Sequence, residues 1–203
     1  MVDSAVPIEV EDAAWVSFKT PMGKSEMISF CQDVGRLLRI NPYLEFRNWI
    51  DCGNNRYRFK GRNISLQPAA ELELEMAVEP QPDGVFIRYS DGLKSTTQVK
   101  VEEAPEGSLV TIVEDYGGLD ESEREARIDE VDRSLVKWAE DLQLYLIRWQ
   151  RWSWLSPWRW YMRRIWEPMK PAARRITYML LWISLVEVAL ILLGVGIYFA
   201  EYR

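Results

Sequence analysis

The chain has 203 residues, 48% hydrophobic and 28% charged with a net charge of −6, which excludes disordered and collagen-like classes and suits one domain with an appendage. It holds no histidine and two cysteines, so Ser-His-Asp and Cys-His mechanisms are out, too few ligands remain for a zinc or iron–sulfur centre, and neither metal nor cofactor is expected. The charge is partitioned: residues 1–146 carry 16 basic and 28 acidic side chains, whereas residues 147–175 carry 8 basic ones against Glu167 alone, which leaves the N-terminal part no basic face for nucleic acid.

The first 13 residues read as an extension, and MVDSAVPIEVEDAAW has acids where a secretory signal needs a basic region. A domain is expected over 14–150. Val16 and Phe18 alternate in a strand near Trp15 to Thr20 that Pro21 closes. Two short helices follow, near Lys24 to Gln32 and near Asp33 to Ile40, the second opened by a capping aspartate and ended before Asn41-Pro42. Cys31 and Cys52 read as free buried thiols in a reducing compartment, with a single Cys31–Cys52 bridge as the alternative. From Tyr43 the hydrophobic period becomes two, with strands near Leu44 to Cys52, Tyr57 to Ser65, Glu71 to Val78, Gly84 to Ser90, Leu93 to Glu102 and Ser108 to Tyr116. Turn residues separate them, at Gly53-Asn54-Asn55, Gln67-Pro68, Pro80 to Gly84, Asp91-Gly92 and Pro105 to Gly107.

Glu71, Glu73 and Glu75 alternate with Leu72, Leu74 and Met76, while Arg58, Lys60 and Arg62 alternate with Tyr57 and Phe59, so cross-strand ion pairs are expected on one face. The apolar face needs a cover. After Gly117-Gly118, Asp120 and Glu123 resemble a capping box, and Ile128, Val131, Leu135, Trp138, Leu142, Tyr145 and Trp149 step by three or four along one long helix.

Residues 151–171 form a basic, tryptophan-rich juxtamembrane segment. Ser156-Pro157 opens a helix over Pro157 to Glu167 that is predicted to lie in the membrane plane, with Trp152, Trp154, Trp158, Arg159, Arg163 and Trp166 at the interface. Residues 172–203 then hold a spanning helix and a short tail. Ile176 to Ala200 contains Glu187 as its sole charge, and at ~1.5 Å per residue it reaches about 37 Å. The basic residues before it predict a cytoplasmic domain and an outside C-terminus in a bacterial-type inner (plasma) membrane. Ser184, Glu187, Ile191, Gly194 and Tyr198 share one side of that helix, where an ionisable group and small residues suit a membrane-protein partner or a second copy of the chain.

The order strand, two short helices, six antiparallel strands, one long helix is an α+β helix-grip plan. With the stretch FCQDVGRLLRINPYLEFRNW from Phe30 to Trp49, it resembles the START-like (SRPBCC, polyketide cyclase/dehydrase and lipid-transport) superfamily over Ala14 to Trp149. The anchored tail makes the chain similar to the branch typified by the membrane-anchor subunit associated with carbon monoxide dehydrogenase. The resemblance implies a cavity between curved sheet and long helix, lined by Leu72, Leu74, Met76, Phe86, Val99, Val110, Ile112, Val131, Leu135 and Trp138; a core filled by those same side chains is the other outcome. It further implies a membrane-tethered module that binds or presents a quinone or other lipid. Two other readings stand beside it: an accessory subunit of an inner-membrane complex without ligand, and a cyclase or aromatase using Tyr89, Arg88, Thr97 and Glu114. In the last, Arg88 and Glu114 are expected as exposed strand charges.

Overall fold

The computed structural model of the chain describes residues 13–65, 69–90, 94–117 and 128–202, with the side chains of all but 70 and 128–133. The expected capping box at Asp120 and the turns at Gln67-Pro68 and Asp91-Gly92 lie outside the described residues, as does the extension up to residue 12.

Strand β1 (Ala13–Thr20) leads into helices α1 (Lys24–Gln32) and α2 (Val34–Arg39). The break between the helices falls at Asp33, whose carboxylate accepts a hydrogen bond from the Arg36 amide at 3.3 Å, caps α2 and turns the chain. Six strands follow: β2 (Leu44–Gly53), β3 (Arg56–Asn63), β4 (Ala70–Gln81), β5 (Gly84–Tyr89), β6 (Thr96–Ala104) and β7 (Gly107–Asp115). The β2–β3 turn needs two left-handed residues in a row, and Asn54 and Asn55 supply them at φ 53° and 56°.

All strand pairings are antiparallel, and the order across the sheet is β1-β7-β6-β5-β4-β3-β2. The β3–β4 register sets Arg58 opposite Glu75, Lys60 opposite Glu73 and Arg62 opposite Glu71, and all three pairs make ion pairs on the outer face. They are solvent-exposed and fix register more than they add stability. The inner face is closed by α3 (Ile128–Trp152), which packs on β1, and by α1, which packs on β5 and β6. Leu135, Trp138, Ala139, Leu142, Tyr145, Leu146 and Trp149 form the buried stripe of α3, following the three-and-four spacing of the sequence. The result is a helix-grip fold.

Two departures from expectation concern the rest of the chain. The segment after α3 is a short helix α4 (Ser156–Tyr161) that widens into a π-helical turn (Met162–Trp166), closed by the Glu167 amide donating to the Met162 carbonyl at 2.9 Å. Cys31 is buried and free, but Cys52 is exposed, because it sits at the end of edge strand β2. The chain divides into two units between Pro168 and Met169. The second contains α5 (Pro171–Glu201), a 31-residue helix long and apolar enough to cross a membrane.

Candidate functional site

The register places one set of side chains on the concave face. Met76 pairs with Tyr89, Val85 with Val99 and Val99 with Ile112, and Ile87 with Thr97 and Thr97 with Glu114. Of the residues expected to line a cavity, Met76, Val99, Val110, Ile112, Leu135 and Trp138 are buried, and Leu72 and Leu74 are partly buried against the same core. The side chain of Val131 lies outside the described residues. Phe86 is a correction. It stands in phase with Arg88 on the convex face, where the Arg88 guanidinium lies 5.8 Å from its ring centroid, and Val85 and Ile87 take the inner positions. Strict alternation along β5 carries that signal, since no strand residue can share a face with its immediate neighbour.

A polar corner interrupts the apolar interior. Glu114 is fully buried, a second correction to its expected exposure, because its partners across the sheet, Thr97 and Ala14, put it on the inner face. Lys94 donates to its Oε1 and the Tyr116 hydroxyl donates to Oε2 at 2.6 Å. Lys94 Nζ also lies 5.9 Å from the ring centroid of Trp138. Tyr89 and Thr97 share a hydroxyl contact of 3.3 Å beside this group. Burial pushes the Tyr89 phenol well above its ordinary range, with the Glu114 carboxylate adding to that direction, so the phenol stays protonated. Tyr89, Thr97 and Glu114 are thus brought together, whereas Arg88 is exposed on the other side of the sheet. The Trp138 indole N–H is buried without an acceptor among the described residues. Buried donors in folded proteins almost always have one.

A second polar cluster fastens the segment that follows α3 to the rest of the domain. Arg36 on α2 donates through Nε to Glu167 at 2.9 Å, and the Tyr145 hydroxyl on α3 donates to the same carboxylate at 2.6 Å. The Arg36 guanidinium lies 4.1 Å from the Trp149 ring centroid and 4.9 Å from that of Phe30. Both ionised side chains are only 10% exposed. In the sequence Glu167 is the lone acid of a basic segment with no local partner, since Arg36 is 131 residues away.

This cluster reverses the expected orientation of the aromatic stripe. Trp158, Tyr161 and Trp166 pack against the domain core and Met162 is buried in it, with Trp166 stacked 5.5 Å from Tyr145. Trp154 and Trp160 point to solvent instead, 73% and 61% exposed. Trp152 is at the margin, tilted against Trp158 at 6.4 Å, and Arg159 and Arg163 are exposed. On α5, Ser184, Glu187, Ile191, Gly194 and Tyr198 are all exposed, spaced alternately by three and four.

No family model and no curated protein sequence matches the chain. Solved structures do. TTHA0849 from Thermus thermophilus aligns with 67% of this chain and 97% of its own at 11% identity and a TM-score of 0.53. Protein NE0264 from Nitrosomonas europaea covers 71% of this chain and 99% of its own at 8% identity and a TM-score of 0.50. A START superfamily protein from Mycobacterium smegmatis covers 66% and 99%, at 13% identity and a TM-score of 0.49. At these identities the likeness is one of fold.

Proposed function

We propose that the chain is a membrane-tethered START-like module that binds or presents a lipophilic molecule carrying a hydrogen-bond acceptor, such as a quinone or the ester of a lipid, at the cytoplasmic face. The observation that carries this reading is the buried Trp138 N–H without an acceptor among the described residues, beside the Lys94–Glu114–Tyr116 group in a largely apolar interior. An acceptor on a mostly apolar ligand satisfies that donor, while Val99, Ile112 and Leu135 meet its hydrocarbon body. Tethering by α5 keeps such a module beside the phase where its ligand is dissolved.

Lipid extraction and native mass spectrometry of the purified full chain test the reading, followed by Trp138→Phe. Loss of the N–H removes no existing hydrogen bond, so the variant should melt close to the parent yet retain much less of the co-purifying hydrophobe. A parent that neither co-purifies with nor takes up added quinone or lipid would sink the proposal.

A second reading, a non-catalytic accessory subunit of a membrane complex, draws support from Glu187. It stands near the middle of α5, where an ionisable side chain costs ~2.5–3.5 kcal/mol on insertion scales and is normally turned toward protein or water. An enzyme of the cyclase or aromatase kind is a minor reading; Tyr89, Thr97 and Glu114 support it, but Arg88 on the convex face does not.

A further inference from the structure

The outward face of the α4–π segment carries an open surface pocket of about 370 Å³ lined by Ser156, Arg159, Trp160, Arg163 and Arg164. Ser156, Arg159, Trp160, Arg163 and Arg164 recur at i, i+3, i+4, i+7 and i+8, the spacing of one helical face, while Met162 and Trp166 stay on the domain side. Among the described residues, none of the three guanidinium groups pairs with a carboxylate: Arg159 reaches only the Ser156 hydroxyl at 3.3 Å, and Arg163 lies 5.5 Å from the Trp149 ring. On the outer face of the sheet the chain neutralises its arginines, as Arg47, Arg58 and Arg62 do with Glu71 and Glu75.

We propose that this pocket is a binding site for the phosphate of an anionic glycerophospholipid. Guanidinium groups bind phosphate oxygens through paired, charge-assisted donors, and the Ser156 hydroxyl adds a neutral one. Trp160, exposed beside the arginines, and Trp154 have the amphipathic rings that settle at headgroup depth. The sequence supplies the reason for a membrane-borne phosphate rather than a free one: only Ile165 to Lys170 separate Arg164 from Pro171, where the spanning helix begins. The site also has work to do. Residues 1–146 are strongly acidic and repelled by an anionic leaflet, so three unneutralised arginines on a segment latched to the domain by Glu167 would hold the domain at the surface in a defined pose.

The inference rests on α5 as the anchor, and the test separates the two. The full chain is reconstituted in nanodiscs of phosphatidylcholine with one-fifth phosphatidylglycerol, and lipids retained after detergent extraction are counted by native mass spectrometry. The wild type should keep phosphatidylglycerol over phosphatidylcholine by roughly tenfold or more relative to the supplied ratio. Arg159→Gln/Arg163→Gln/Arg164→Gln should bring the preference to about unity, with Arg159→Gln and Arg164→Gln alone each giving part of the loss. Arg47→Gln/Arg58→Gln/Lys60→Gln removes equal charge from the convex face and should leave it unchanged. Inorganic phosphate should not displace the lipid; displacement would mean a free-anion site and overturn the assignment. An integral wild type without phosphatidylglycerol preference would overturn the site and leave the anchor standing. A chain removed from membranes by alkaline carbonate would overturn the anchor and the site with it.

Discussion

Replacing Glu167 with alanine should unfasten the α4–π segment from the domain. Its carboxylate takes one bond from Arg36 at 2.9 Å and one from Tyr145 at 2.6 Å, and both ionised side chains are about nine-tenths buried. Removing one partner of such a pair leaves the other charge desolvated without compensation, which costs ~3–5 kcal/mol. Arg36 keeps its position over Trp149, so the lower half of that range is the better expectation. For a chain of 203 residues each kcal/mol moves the midpoint by roughly 2–4 °C, which places Glu167→Ala about 6–16 °C below the parent. Glu167→Gln keeps one acceptor oxygen and should cost ~1.5–3 kcal/mol. The measurement is thermal unfolding of the full chain in mild detergent, followed by tryptophan emission, since Trp149 and Trp166 border the cluster. Arg36→Met/Glu167→Met removes both charges and should melt above Glu167→Ala, a non-additivity that marks direct coupling. A Glu167→Ala midpoint within about 2 °C of the parent would refute the argument that this pair holds the segment down.

Burial pushes the Cys31 thiol up to about 12, so at pH 8 a thiol reagent should label Cys52 alone in the native protein and both cysteines after unfolding; two labels on the native chain would contradict the buried placement. The phenols of Tyr89 and Tyr145 are raised above their ordinary value, chiefly by burial, so both favour folding below the unfolded tyrosine pKa of about 10. That contribution is lost as pH rises beyond it, and melting should fall above about pH 10 less steeply in Tyr89→Phe than in the parent. Glu187→Leu should shift the detergent-solubilised chain from a complex to a lone monomer on native gels if α5 packs on a partner helix; an unchanged monomer in both would favour a single-span anchor.

Local pattern was enough for several features because their physics is local. Alternation over Glu71 to Met76 and Arg56 to Arg62 marked two strands and even the ion pairs between them, since adjacent strands leave few registers that bury Leu74 and Phe59 together. The three-and-four spacing from Leu135 to Trp149 marked the gripping helix, and a long apolar run marked α5. What a face packs against is a different matter. Periodicity found the stripe of Trp158, Tyr161, Met162 and Trp166, but an apolar stripe fits a bilayer and a protein core equally well. The choice fell to the core because Arg36, more than a hundred residues upstream, supplies the counter-charge that draws Glu167 in. Glu114 shows the same limit: a glutamate in a strand reads as solvent-facing until Lys94 and Tyr116 are brought to its carboxylate by the closure of β6 on β7. Burial of a charge is decided by its partners, and partners distant in sequence meet only in the folded chain.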